Sequence, residues 1–372
     1  MVPSVNTKKY KRIVVKVGSN VLTCADGTLD EERMSVLVGQ IAAIQRAEIQ
    51  VIVVSSGAVA SGRGELGSAS RRLDSVLSRQ LFSAVGQVKL INRYYQLFSE
   101  QGIVCGQVLT TKESLSTRRH YLNQRNCMQV MLDNSVIPIV NENDTISVTE
   151  LMFTDNDELS GMVSTMMGAE LLIILSNVDG IFDGAPHDPA ARVIREVTSG
   201  KRDISAYVQA QQSHFGRGGM LTKGRIAAKV ADEGVEVVIA NGTRDGILTD
   251  LTLGVTTGEP EVICTRFLPS ERPVAAVKKW IAHSDGFAKG EIHINQGAHD
   301  ALTGKQAVSL LPVGVERVEG EFEKDDIVRI VAPDGRTIGV GRVANDNVKA
   351  RQMAKQKGGR ALIHYDYLYL DG

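Results

Sequence analysis

Between residues 141 and 160 two clusters of acids and amides, Asn141-Glu142-Asn143-Asp144 and Asp155-Asn156-Asp157-Glu158, flank a segment from Thr145 to Thr154 that reads as a hairpin. Such side chains carry forked donors and acceptors. They compete with the backbone for hydrogen bonds, so they fold a chain poorly, but they read a small polar molecule well. Loops also collect Asn and Asp for turn reasons, and the cluster alone fits a solvated acidic loop equally. The preceding residues narrow the choice. Val136 to Val140 is an apolar run of buried-strand length, which puts Asn141 to Asp144 at its C-terminal end, where open α/β sheets hold ligands.

Three other segments could face an anion. Lys16-Val17-Gly18-Ser19-Asn20 ends a strand with a lysine and opens a small donor-rich loop. Gly216-Arg217-Gly218-Gly219-Met220-Leu221-Thr222-Lys223 is a glycine loop running into a helix, where backbone amides and the positive end of the helix dipole would meet a phosphate and Lys223 would add a point charge. Ile226, Ala227 and Val230 continue a buried helical face behind it. Ser55-Ser56-Gly57-Ala58 offers hydroxyls and a close backbone approach, although small residues also sit at strand ends for packing. The GxGxxG string Gly62 to Gly67 follows too late after Ser55 to be the tight turn of a dinucleotide site, and reads as a flexible substrate-side loop. A Walker A loop is excluded because Gly304-Lys305 is followed by Gln306.

Two lysines, two glycine loops, a Ser-Ser-Gly strand end and an Asp/Asn cluster fit phosphoryl transfer to a carboxylate. In that chemistry the protein mainly positions reactants and neutralises charge. A carboxylate acceptor is already ionised at neutral pH, so no general base is required. Two lysines on opposite sides of the moving group would stabilise the transition state, and Asp157 is the candidate to hold both in place. Transfer from a nucleotide would need a cation bridging its β and γ phosphates, for which Mg2+ is expected, and no protein metal ligand is assigned.

The elements that must position these residues alternate from Arg12 to about Gly258. Strands are expected at Ile13 to Val17, Val51 to Ser55, Val104 to Leu109, Val136 to Val140, Leu171 to Ser176 and Val235 to Ala240. Helices are expected near Glu31 to Ala47, Arg71 to Gln101, Arg118 to Asn134, Asp157 to Met167 and Leu221 to Glu233. This is the pattern of an α/β fold, a mainly parallel open sheet sandwiched by helices. After Pro260 shorter strands and turn chemistry, including Pro333-Asp334-Gly335, mark a small β-rich module, with a linker around Pro269 to Pro273. With 42 basic and 43 acidic residues the net charge is -1, so no global field draws the chain to nucleic acid or membrane. Cys24, Cys105, Cys127 and Cys264 form no CxxC pair and read as core thiols of a reducing compartment. No run is long enough to span a bilayer and the first residues lack an apolar core, so a cytoplasmic location is expected.

Together these motifs resemble a known family. VVKVGSNVLT, VVSSGAVASG, Ala84 to Gln87 (AVGQ), Ile139 to Asp144, FTDNDELS and GRGGMLTK are similar to segments of the glutamate 5-kinases, which have the amino acid kinase fold and a C-terminal PUA domain. The resemblance runs from about Ile13 to the last strand. It implies an amino acid kinase domain over residues 8–262 and a PUA-like barrel over 272–372. It implies phosphorylation of the γ-carboxylate of L-glutamate by ATP, the first step of proline biosynthesis. Carried over, Lys16, Lys223 and Asp157 are catalytic. Ser56, Asp144 and Asn156 are the family's glutamate-binding positions, with Asp155 in the same cluster. From the residues alone, Gly57, Ala58 and Asn141 are added to them, and Lys16, Gly18, Ser19, Ser176, Asn177, Gly218, Gly219, Met220, Thr222 and Lys223 are expected on the nucleotide side. The chain departs at Ser176-Asn177, where the family usually has Thr-Asp. Feedback inhibition by proline and assembly as homodimer or homotetramer are implied too.

Competing readings are another amino acid kinase, acting on aspartate, N-acetylglutamate, carbamate or UMP, and an RNA-binding or regulatory protein on an inactive kinase scaffold. PUA domains elsewhere bind RNA, which is the functional reading for Lys349, Arg351, Lys355, Lys357 and Arg360. No aromatic stacking platform accompanies them, which favours a solvated charged segment. Tyr365, Tyr367 and Tyr369 alternate as one face of an edge strand would.

Overall fold

The computed structural model describes residues 10–24, 26–67, 75–112, 118–146, 156–184, 190–198, 219–254, 262–271, 281, 288–304 and 308–370. Contacts divide the chain into one unit of residues 1–111 and 123–273 and another of residues 112–122 and 274–372.

In the first unit β1 (Arg12–Val17), α1 (Ser19–Leu22), α2 (Glu31–Arg46), β2 (Gln50–Ser55), α3 (Ala58–Leu66), α4 (Ser75–Glu100), β3 (Cys105–Thr110), α5 (Arg118–Asp133), β4 (Ile137–Glu142), α6 (Asn156–Met167), β5 (Leu171–Ser176), β6 (Glu196–Val197), α7 (Met220–Asp232), β7 (Glu236–Asn241), α8 (Ile247–Leu253) and β8 (Cys264–Phe267) follow one another. Eight strands form one sheet in the order β3-β4-β2-β1-β5-β7-β8-β6. β3 to β7 pair in parallel and β8 runs antiparallel to β7. β8 lies just past residue 262 and still belongs to this sheet. The strands expected from apolar runs are present within two residues. Those covered on both faces, such as β4 and β5, are buried throughout, whereas β3 at the edge alternates, with Leu109 exposed.

The main difference from the sequence reading lies at residues 58–67. Gly62 and Gly64 sit inside helix α3, and Gly67 ends it with positive φ. They form no flexible loop. A Cβ on Gly62 would overlap the backbone of Phe82, and one on Gly86 would overlap the backbone carbonyl of Ala58. The two glycines therefore let α3 and α4 cross with their backbones in contact.

In the second unit β9 (Gly290–Ile294), α9 (Gln296–Leu302), β10 (Val315–Gly320), β11 (Ile327–Val331), β12 (Thr337–Arg342), α10 (Asn347–Met353) and β13 (Leu368–Leu370) surround their own core, in which Ile292, Ile330, Val343 and Ile363 are fully buried. The strand order is β10-β9-β11-β12-β13, and the Pro333-Asp334-Gly335 turn joins antiparallel β11 and β12. Tyr365 and Tyr367 lie in a 3-10 turn ahead of the edge strand, and Tyr369 alone of the three is in it. Tyr367 takes the Arg342 guanidinium over its ring at 3.7 Å. Of the basic residues, Arg351 donates to the Gly320 carbonyl at 2.8 Å and Lys355 pairs with Glu316 at 3.0 Å. Cys105 and Cys264 are core thiols as expected, but Cys24 and Cys127 are exposed. No described helix is long and apolar enough to cross a membrane.

Candidate active site

The chain crosses from β1 to β2 on one side and reaches β5 on the other, so strand order reverses at β1 and a crevice opens at the C-terminal strand ends. Register brings these ends level: Val17 lies beside Ser55 and Leu175, and Val54 beside Val140. A cleft of about 480 Å³ occupies this edge. Lys16, Gly18, Ser19, Ser56, Gly57, Ala58, Asn141, Asp144, Asn156, Asp157, Ser176 and Lys223 all line it. Asn177, Gly219, Met220 and Thr222 do not, although Asn177 follows Ser176 directly and the other three lead into or surround Lys223. Asp155 and Gly218 lie outside the described residues, as do most of the expected hairpin and the glycine loop before Gly219.

At the centre Asp157 on α6 is fully buried between two ammonium groups. Its Oδ1 is 2.6 Å from Lys16 Nζ and its Oδ2 is 2.7 Å from Lys223 Nζ. Burial alone pushes the Asp157 pKa up. The charges of Lys16 and Lys223 and their hydrogen bonds outweigh it and hold the carboxyl below the ordinary aspartate value. The triad itself sets one carboxylate against two ammonium groups. Small residues make the triad possible. A Cβ on Gly161 of α6 would press on Val230 and Ile226 of α7 at 2.8 and 3.2 Å, so the missing side chain lets the helices carrying Asp157 and Lys223 approach. A Cβ on Gly18 would sit 3.1 Å from the Leu175 carbonyl and 3.4 Å from Lys16 Nζ.

Beside the triad, Asn156 Nδ2 donates to the Ser55 carbonyl at 3.0 Å, to Ser56 Oγ at 3.1 Å and to Asn141 Oδ1 at 3.0 Å. Asn141 Nδ2 in turn donates to Gln87 Oε1 at 2.9 Å. Ser55 Oγ lies 2.9 Å from the Tyr94 hydroxyl, whose pKa burial pushes up to about 12, so the phenol keeps its proton. Gly57, at φ +105°, turns the chain from β2 into α3 in a conformation that a side chain would strain. The first-turn N–H groups of α3, which have no intrahelical acceptor, thereby begin at the cleft.

A further charged residue of the cleft, Arg79, was not foreseen. Arg79 of α4 donates from Nε and Nη2 to Asp144 Oδ1 at 3.0 and 2.7 Å, and Nη2 lies 3.7 Å from Glu142 Oε2. Ser83 Oγ donates to Asp144 Oδ2 at 3.3 Å. The sequence does hold a signal for Arg79. Arg79, Ser83 and Gln87 recur every four residues, on the helix face that continues through the buried Leu90, Tyr94 and Phe98. An arginine leading a buried stripe faces inward and needs an anion. At the departure from the family pattern, Ser176 is buried at the cleft and Asn177 is exposed.

Known proteins align with this arrangement. Residues 11–241 match the amino acid kinase family and residues 290–363 match the PUA domain. A glutamate 5-kinase of Bacteroides thetaiotaomicron is 62% identical over 365 residues, covering 98% of this chain and 99% of that protein. A glutamate 5-kinase of Chlorobaculum tepidum is 48% identical, covering 97% and 98%. Among solved structures, carbamate kinase from Giardia lamblia bound to AMP-PNP superposes with a TM-score of 0.52 at 18% identity, over 71% of this chain and all of that one, which supports the fold. With a family match over more than half its length and two relatives matched over nearly their whole lengths, the chain belongs to the amino acid kinase family and, within it, to the glutamate 5-kinases.

Proposed function

We propose that the chain transfers the γ-phosphoryl group of ATP to the γ-carboxylate of L-glutamate, giving L-glutamyl 5-phosphate and ADP at the first step of proline biosynthesis. The observation that carries this reading is the Lys16–Asp157–Lys223 triad at the strand-order reversal. A γ-carboxylate oxygen attacks the γ-phosphorus, an O–P bond forms, and the bond to the β,γ-bridging oxygen breaks. Lys16 and Lys223 neutralise charge that grows on the transferring group and the leaving ADP. Asp157 takes no proton. With its pKa depressed it stays ionised, and it fixes both ammonium groups at its own two oxygens.

Ser56, Asn141 and Asn156 present donors and acceptors to the amino acid, Asp144 presents a carboxylate, and the Gly57–Ala58 backbone lets the substrate approach closely. Gly18, Ser19 and Ser176 flank the lysines on the nucleotide side. The described carboxylates of the cleft are engaged by cations, Asp157 by two lysines and Asp144 and Glu142 by Arg79. This donor set suits Mg2+ held through nucleotide phosphates and water, which is how the ion commonly binds in kinases. When bound it neutralises the β and γ phosphates.

The family resemblance supports proline as a feedback inhibitor and an assembly of two or four copies. Leu77, Leu81, Val88 and Tyr95, exposed along one face of α4, suit an assembly surface. The test of the reaction is ATP turnover with hydroxylamine present, which traps an acyl phosphate as its hydroxamate. Hydroxamate is expected with L-glutamate and not with aspartate or N-acetylglutamate. None with any acid, from folded protein with Mg2+, would refute the reading.

A further inference from the structure

If the γ-carboxylate of the substrate meets the lysine triad, its other end carries an ammonium and a carboxylate that also need partners. Apart from the triad, the charged side chains that line the cleft among the described residues are Arg79, Glu142 and Asp144. Glu142 and Asp144 are almost fully buried, and Arg79 pairs with both. A guanidinium offers five N–H donors in a fixed fork. Nε and two contacts of Nη2 account for the bonds to Asp144 and the approach to Glu142, and among the described residues Nη1 makes no hydrogen bond.

Resting on the function proposed above, we propose that Arg79 is a specificity-determining residue that receives the α-carboxylate of the substrate, while Asp144 receives its α-ammonium. Arg79 thus selects acids that carry a second carboxylate at the far end. Its bond to Asp144 keeps both groups in register for a zwitterion, and α4 delivers it on the same helix face as Ser83 and Gln87, which fix Asp144 and Asn141.

Three acids that share the reacting carboxylate separate this role from simple support of Asp144: L-glutamate, glutarate, which lacks the ammonium, and 4-aminobutanoate, which lacks the α-carboxylate. Each is assayed for hydroxamate formation or, where turnover is slow, as a competitive inhibitor. Arg79→Gln is expected to weaken L-glutamate and glutarate by roughly 10- to 100-fold, as for loss of a charge-assisted hydrogen bond, and 4-aminobutanoate by less than about 3-fold. Arg79→Lys should restore part of the loss. Asp144→Asn should give the crossed pattern, sparing glutarate and weakening the other two.

Equal losses for all three acids in Arg79→Gln would show that Arg79 only supports the site, and would overturn the proposal. So would no loss for L-glutamate. Should the wild-type chain form no glutamyl hydroxamate, the phosphorylation reading fails by itself, and calorimetric binding of the three acids to the full chain still decides the role of Arg79.

Discussion

Replacing Asp157 by Asn removes one charge and almost no volume from the centre of the site. Asp157 is fully buried and contacts Lys16 Nζ at 2.6 Å and Lys223 Nζ at 2.7 Å, and both lysine side chains are largely buried. Deleting one member of a buried ion pair costs about 3–5 kcal/mol, because the remaining charge stays desolvated. Here two cations remain. At a separation of about 6 Å and an effective dielectric of 20 they repel by roughly 3 kcal/mol, in the same range. For a unit of this size the Tm of the full chain should fall by roughly 6–20 °C. Turnover should fall by roughly 10²–10³-fold, as when an oriented charge is lost from a transition-state site. ATP should raise the Tm of the variant more than that of the wild type, since its phosphates return negative charge between the lysines. The folded-state pKa of Asp157 lies below the unfolded value, so its contribution is fully present above the ordinary aspartate value of ~3.9 and is lost as pH falls through the folded one. The wild-type advantage over Asp157→Asn should therefore shrink only in that acid window. A Tm within about 2 °C of wild type at pH 7, with turnover within about threefold, would refute the claim that Asp157 organises the lysines.

Lys223→Ala should lower kcat by roughly 10²-fold or more with a much smaller change in KM for either substrate, measured by steady-state kinetics. Asn156→Ala, which loses donors to Ser56 and Asn141, should raise the KM for L-glutamate by roughly 10-fold and leave that for ATP unchanged. Gly86→Ala should cost about 1–3 kcal/mol in urea unfolding, because its Cβ would overlap backbone atoms of Ala58 and Gly62 that cannot rotate away. Gly64→Ala, two turns into the same α3 with Thr28 no nearer than 3.6 Å, should instead stabilise by about 0.5–1 kcal/mol.

The strands were legible because burial on both faces leaves uninterrupted apolar runs, and β4 and β5 carry that signature without exception. Lys16, Asp157 and Lys223 were legible as types at strand and helix ends, but their convergence at 2.6 and 2.7 Å depends on the fold. Helix α3 was hidden because its two glycines and the capping Gly67 mimic a loop. What decides their conformation is the backbone of α4, some twenty residues further on. Arg79 was hidden for a related reason. A charged residue near a helix start usually points to water, and its inward direction follows from the partner strand β4, more than fifty residues away. Asn177 follows the buried Ser176 of the cleft but is itself exposed, because successive residues diverge at a strand end.

The backbone contact at Gly62 and Gly86 has a dynamic consequence. Helices separated by side chains can slide by repacking them, whereas helices that touch through glycine have little to repack, so α3 and α4 should open as one cooperative unit. α3 begins after Gly57 and α4 carries Arg79, so that unit supplies two walls of the cleft, Ala58 to Ala60 and Arg79. Amides of α3 near Ser61 and of α4 near Gln87 should then exchange with solvent at a common opening free energy, and a ligand gripping either wall should slow exchange in both.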